Sequence, residues 1–416
     1  MERTNYFKVK KIDVLKCILF FCFSGSTIVF GQILRQVANI SPVRLMDYKI
    51  LVTKQATSAI KKIDSTYANI ELNKYDSLVK DYRYQNTLTM YRYEVPYEYK
   101  ESEIVLSGLV IKPDSITTKK DIVYFHGTRP PWGILAIPSD FSEKNKPERM
   151  FYELKYLLML ADLGYTVFVP DYIGYGTSKK TEHPYTVVAP NVKAAYHAYS
   201  VLNERFNHLL KKNKDLISCG VSEGGAYALG LHEYMESLNL NTNVSSFPCE
   251  GPYDYGATLD WVFNNQPKSK FGILVYVWSA YSNLEHYYPN SSLKDSLFLI
   301  KNMSQKKVFK LKRFFGKNDS PYKYVNREFT TKLVNKEVEE FNVIVERNTV
   351  FYDWSPVGSI DFFHSGRDML VPIINTENAY NYLKEKSNKV NYHYFENRGH
   401  KTLVDTYFGY LIEHLD

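Results

Sequence analysis

DLISCGVSEGGAYALGLHEY, residues 215–234, decides how this chain is read. A short apolar strand opens it. A sharp turn holding Gly220, Ser222 and Gly224 follows, and then a helix. That strand–turn–helix is the setting a serine nucleophile needs. The tight turn lifts the hydroxyl clear of the backbone, and glycines leave room for a substrate to approach. The helix starts at the turn, so its amide dipoles point at developing negative charge. Taken alone, the G-x-S-x-G spacing is a weak sign, because Gly and Ser are common residues. Its weight rests on what the rest of the chain supplies.

Short apolar strands alternate with amphipathic helices on both sides of this turn. Strands are expected at 88–95, 104–111, 121–125, 165–169, 244–247, 359–364 and 390–395. Helices are expected at 148–163, 192–210, 223–238, 373–386 and 402–415. Such alternation implies a mostly parallel sheet with helices on both faces, an α/β fold. Functional groups in these sheets gather at the carboxyl ends of the strands. The pattern breaks over 251–351, which is rich in aromatics and lysine and helical in period. An insertion of this kind reads as a cap or lid over the strand ends. The expected organisation is a signal at 1–31, an N-terminal arm at 32–85, the first part of the core at 86–250, the cap at 251–351 and the rest of the core at 352–416.

A serine hydroxyl needs a base within hydrogen-bond reach and a carboxylate to orient that base. His400 follows the last expected strand, in FENRGHKTL. Asp368 follows the strand before it, in FFHSGRDMLVP. The order Ser222, Asp368, His400 is that of an α/β-hydrolase, and each residue falls in a turn after a sheet strand. Asp361 competes as the acid but lies inside its strand. Asp368 could instead cap the segment from Val371 onward, and His364 is read as a support for the loop. The backbone N–H of Glu223 is one expected oxyanion donor. The other comes from the Gly127–Thr128 loop, with Thr128 preferred over Gly127. The Glu223 side chain is expected to face solvent or to cap, with a part in substrate polarity as the alternative.

Composition narrows the setting. The 416 residues suffice for one large domain with an insertion. Arg3, Lys8, Lys10 and Lys11 precede a mostly apolar run over 14–30, and Gly31 suits cleavage before Gln32. The run after Lys16 is short for a membrane-spanning helix. An exported, secreted or periplasmic or cell-surface protein is therefore expected. Removing residues 1–31 takes away five basic and two acidic residues, so the net charge falls from +7 to +4. Neither that charge nor any aromatic-interleaved basic run suggests nucleic acid. Lys306, Lys307, Lys310, Lys312 and Arg313 read as a solvated helix face. Cys219 and Cys249 lie in or beside core strands and are expected as buried free thiols. No Cys/His spacing suggests a metal.

These residues resemble the secretory lipase family of serine esterases, within the α/β-hydrolases. SGLVIKP at 107–113, HGTRPPWGILAIPSD at 126–140, VPDYIGYG at 169–176, HPY at 183–185 and GVSEGGA at 220–226 carry the resemblance, with the Asp368 and His400 segments. It implies an acyl-ester hydrolase of lipase or esterase type, with Ser222, Asp368 and His400 as its triad and no cofactor. Members of that family carry an adjacent His-Gly pair ahead of the acid; here the glycine is displaced, as His364-Ser365-Gly366. A cysteine common in the family's oxyanion loop is absent, with Ile137 nearby. The expected partner is a small acyl ester, joined by a lipid surface if the enzyme is a true lipase. Two other readings stand beside it. One is a serine peptidase of the same fold, aminopeptidase-like, with Glu337, Glu339 and Glu340 as acidic cap residues for an amino group. The other is a catalytically silent binding protein, which the ordered triad argues against.

Overall fold

Three of the strands that surround the serine turn lack the alternation of a half-exposed strand, and the structure shows why. The computed structural model describes residues 34–47, 49, 72–114, 119–129, 137–141, 152–206, 215–239, 242–264, 270–311 and 320–415. The expected signal at 1–31 lies outside the described residues. The strands are β1 Leu34–Ile40, β2 Leu88–Tyr99, β3 Ser102–Pro113, β4 Asp121–Phe125, β5 Thr166–Pro170, β6 Asp215–Val221, β7 Asn243–Cys249, β8 Ile360–Ser365 and β9 Val390–Phe395. They form one sheet in the order β1-β2-β3-β5-β4-β6-β7-β8-β9. From β5 to β9 neighbouring strands run parallel. The first three strands join the block antiparallel. Every residue of β4, β5 and β8 is buried. A strand covered on both faces has no solvent side and loses its polar alternation.

The helices are α1 Lys74–Asp81, α2 Leu154–Asp162, α3 Val188–Arg205, α4 Glu223–Ser237, α5 Tyr255–Asn264, α6 Lys270–Tyr287, α7 Leu293–Ser296, α8 Gln305–Lys310, α9 Arg327–Val334, α10 Glu339–Asn348, α11 Ile374–Lys384 and α12 Leu403–Leu415. On one face of the sheet, Val192, Ala195, Tyr227, Leu229, Ala379 and Leu383 of α3, α4 and α11 pack with Phe125 and Phe168. On the other, Leu157, Leu160, Phe408 and Leu411 of α2 and α12 pack with Tyr124 and Ile217. Between β7 and β8 the chain leaves the sheet for α5 to α10. These helices close around a third core that includes Trp278, Val262, Ile344 and Phe341. The insertion expected at 251–351 is therefore helical.

Three details differ from the sequence expectation. Residues 34–40, read as part of a polar arm, form the edge strand β1, paired antiparallel to β2 from Leu34↔Tyr93 to Ile40↔Leu88. β2 continues past that pairing to Tyr99 as a ribbon with β3 alone. Pro96 falls in this unpaired-edge stretch, where its missing N–H breaks no ladder. Helix α3 begins at Val188 rather than 192, because Pro190 sits in the first turn, where a helix has no use for its N–H. Cys219 and Cys249 are buried free thiols, as expected. Lys306, Lys307 and Lys310 are exposed, in keeping with a solvated face.

Candidate active site

Ser222 stands between β6 and α4 with φ 60° and ψ −124°. A side chain other than glycine rarely adopts that backbone, and it holds the residue out of the line of both elements. Its neighbours must make room. A methyl group on Gly220 would meet the Gly224 carbonyl oxygen at 2.1 Å, and one on Gly224 would meet the Phe125 carbonyl oxygen at 2.1 Å. The glycines on either side are thus demanded by backbone contact. The Ser222 N–H donates to the Cys249 carbonyl at 2.8 Å, and the Gly225 N–H donates to the Ser222 carbonyl at 2.8 Å. Ser222 itself is half-buried.

Asp368 and His400 sit in the turns that leave β8 and β9. The His400 Nδ1–H donates to Asp368 Oδ2 at 2.6 Å. The other oxygen, Oδ1, accepts from the N–H groups of Leu370 at 2.7 Å and Val371 at 2.9 Å. Asp368 thereby both orients a histidine and caps its own loop, one oxygen for each. Burial alone would raise its pKa, but the charge and hydrogen bond of His400 outweigh it and hold the carboxyl below its ordinary value. Asp361, the competing acid, accepts instead from His393 Nε2 at 2.8 Å on β9. His364 is buried, with Nδ1 2.8 Å from Thr376 Oγ1 and Nε2 3.8 Å from Asp368 Oδ2. Burial lowers its pKa to about 4. It packs behind the acid as a neutral ring.

Gly127 and Thr128 follow β4. A methyl group on Gly127 would lie 3.8 Å from Ser222 Cβ, so this loop borders the serine. Its carbonyls are taken by side chains beneath it. Tyr172 donates to that of His126, the His126 ring to that of Gly127 at 2.8 Å, and Tyr175 to that of Arg129. Thr128 Oγ1 lies 2.9 Å from the hydroxyl of Tyr185, whose ring stacks on Trp278 of α6 at 3.9 Å. The insertion therefore reaches the loop beside Ser222 through Tyr185. Its Tyr276 lies near enough to Asp368 for that carboxylate to add to burial in raising the phenol.

The Glu223 side chain corrects the sequence reading. It faces neither solvent nor a helix cap; the residue is 2% exposed. Its Oε1 accepts from Tyr227 at 2.7 Å and lies 3.0 Å from His183 Nε2. The other ring nitrogen of His183 donates to the Ile173 carbonyl at 2.8 Å. Glu337, Glu339 and Glu340 are exposed on the insertion, as a solvated face requires.

Sequence reasoning missed two groups. Glu250 follows β7 directly, is fully buried, and brings Oε2 to 3.5 Å from His400 Nδ1. An acid at the exit of a sheet strand was the available signal. Asp76 of α1 is the other. It pairs with Arg398, two residues before His400, and accepts from Thr406 at 2.7 Å.

Together these features define the α/β-hydrolase fold. Solved structures of similar fold agree. A Legionella pneumophila protein assigned to the hydrolases has 18% identity over 91% of this chain and 95% of its own, with a TM-score of 0.70. A variant of LipA, the rice cell wall degrading esterase of Xanthomonas oryzae, has 17% identity over 92% of this chain and 97% of its own, with a TM-score of 0.66. Candida antarctica lipase A has 13% identity over 76% of this chain and 73% of its own, with a TM-score of 0.54. At such identities the likeness is one of fold. No family model and no curated protein matches the sequence.

Proposed function

We propose that this protein is an exported serine hydrolase of carboxylic esters, of the secretory lipase type, acting through an acyl-enzyme on Ser222. The observation that carries the reading is the 2.6 Å bond between His400 and Asp368, on the same edge of the sheet as the strained Ser222 turn. In this reading His400 Nε2 takes the Ser222 proton as Oγ attacks the acyl carbon, and later returns it to the leaving alcohol. Asp368 fixes the ring and offsets the imidazolium charge. Water then attacks the acyl-enzyme with His400 again as base. The backbone N–H groups of Glu223 and of Thr128 or Gly127 steady the oxyanion, aided by the amino end of α4. Helices α5 to α10 form the cap that selects the ester.

The test uses the purified mature chain. It should hydrolyse p-nitrophenyl acetate or butyrate, and a fluorophosphonate should label Ser222. Labelling that persists in Ser222→Ala would sink the assignment. A series of acyl chain lengths run beside aminoacyl amides separates lipase, short-chain esterase and peptidase.

A further inference from the structure

His400 has two carboxylates at one nitrogen. Asp368 Oδ2 takes the Nδ1–H at 2.6 Å, and Glu250 Oε2 stands 3.5 Å from the same atom. Glu250 is held there from two sides. Its own N–H donates to the Phe363 carbonyl of β8 at 2.9 Å, with the backbone turned to φ 49°. Its Oε1 accepts from the hydroxyl of Ser365 and from the Ser365 N–H at 3.2 Å. Oε2 has no hydrogen-bond partner among the described residues, and the residue is 0% exposed. A buried, unpartnered carboxyl oxygen is costly unless something uses it. This one faces the orienting end of the base.

We propose that Glu250 is a second acid for the same histidine, its Oε2 receiving the Nδ1–H of His400 whenever the carboxylate of Asp368 is gone. The inference rests on the serine-hydrolase reading above. In the intact site burial, and then the charge of Asp368, push Glu250 well above the usual carboxylate range. Two like charges at one nitrogen are not both sustained, so Asp368 carries the charge and Glu250 the proton. Removing Asp368 removes the like charge. Glu250 then releases its proton to solvent, and one negative charge again stands at Nδ1. His400 keeps its Nδ1–H, and Nε2 is free to take the proton of Ser222 as before. The titratable groups facing Glu250 are Asp368, His400, Lys401, Cys249, Tyr253 and Tyr392, and the charge of Lys401 favours the ionised form.

The experiment compares ester turnover by Asp368→Ala and by Asp368→Ala/Glu250→Gln across an acid-to-alkaline series. At the alkaline end the single variant should keep activity within about 100-fold of the parent. The double variant should fall to about 10,000-fold below, the loss expected when a triad acid has no substitute. The ratio of single to double should shrink towards one at the acid end, where Glu250 holds its proton. A packing role alone would not make that ratio depend on pH. Equal turnover of the two variants at every pH would overturn the proposal. If the alanine variant does not fold, Asp368→Ser, whose hydroxyl can still cap the loop but does not reach the histidine, carries the same comparison. Fluorophosphonate labelling of the parent separates the two levels of failure. A parent that is not labelled removes the hydrolase reading and this inference with it; a labelled parent with equal variants removes the second acid alone.

Discussion

Ser222 gains its exposure from a left-handed backbone, and the residue after it secures that turn from below. Glu223, whose amide is the proposed oxyanion donor, buries its carboxyl group between Tyr227 and His183. The side chain therefore anchors the peptide group to which the proposed mechanism gives that role. Glu223→Ala should leave the hydroxyl of Tyr227 without this buried acceptor and Nε2 of His183 without its partner, at about 1–3 kcal/mol of stability. Loss of registry in the amide should lower kcat by about 10- to 100-fold with little change in KM, because the donor acts on the developing oxyanion. Glu223→Gln keeps an acceptor for Tyr227 and should recover part of the rate. Thermal melts and steady-state kinetics on both variants check this; a rise in KM at constant kcat would assign the residue to substrate binding instead. The turn was legible because Gly220 and Gly224 are sterically required and spaced by the chain itself. Glu250 was not. Its place at the exit of β7 was the one local signal; that β7 and β9 bring it to the histidine is set by an approach across the sheet, which CEGPYD does not encode.

Among the elements, legibility followed burial. β4 was expected at 121–125 and is found there, with every residue buried. Apolar runs bounded by charged or glycine-containing turns leave little freedom in placing such strands. β1 escaped because LRQVANI is an edge strand with Arg35 and Gln36 exposed, so its composition matches a polar linker. Helix α1 falls within the segment read as an arm, and nothing in that reading told its purpose. Its Asn73–Asp76 capping box also supplies Asp76 to Arg398, in the loop ahead of His400. The Arg398 carbonyl in turn accepts the Arg367 N–H at 2.9 Å, which ties the histidine loop to the acid loop. The helix reaches α12 closely enough that a methyl group on Gly409 would meet the Tyr75 carbonyl at 2.1 Å. Helix α1 is thus a brace for the loop that carries His400. Asp76→Ala removes a buried carboxylate from a charged partner and should cost about 3–5 kcal/mol. Activity at temperatures below the melt should fall as well, since the His400 loop loses its anchor. Urea unfolding gives the first quantity. Unchanged stability would mean that Arg398 finds an equivalent partner.

Over the whole molecule, the question is how a helical layer with its own core stays attached to the sheet. The chain returns from the insertion through residues 349–359, and one side chain of α4 gathers that return. Glu236 accepts from the indole N–H of Trp354 at 2.9 Å and from the N–H groups of Val357 at 3.1 Å and Gly358 at 2.8 Å. It also faces His232 Nε2 at 2.9 Å. Burial by itself would raise this carboxyl, but the bonds from His232, Gly358 and Trp354 outweigh burial and bring it down from 4.5 to about 2. The sign follows from linkage. A carboxyl with a depressed folded pKa holds its proton more weakly in the folded state than in the unfolded one. Its contribution is present in full above the unfolded value near 4.5 and is lost as pH falls towards 2. Because the side chain is only 13% exposed, solvent screening is modest, and the shift corresponds to at most about 3 kcal/mol. The parent should therefore lose melting temperature steeply across that window. Glu236→Gln should start lower at neutral pH and show a shallower acid slope. Melting curves on both proteins through the window decide it. If the two lose stability in parallel down to pH 2, the acid limb belongs to other carboxylates, and Glu236 is not what joins the insertion to the sheet.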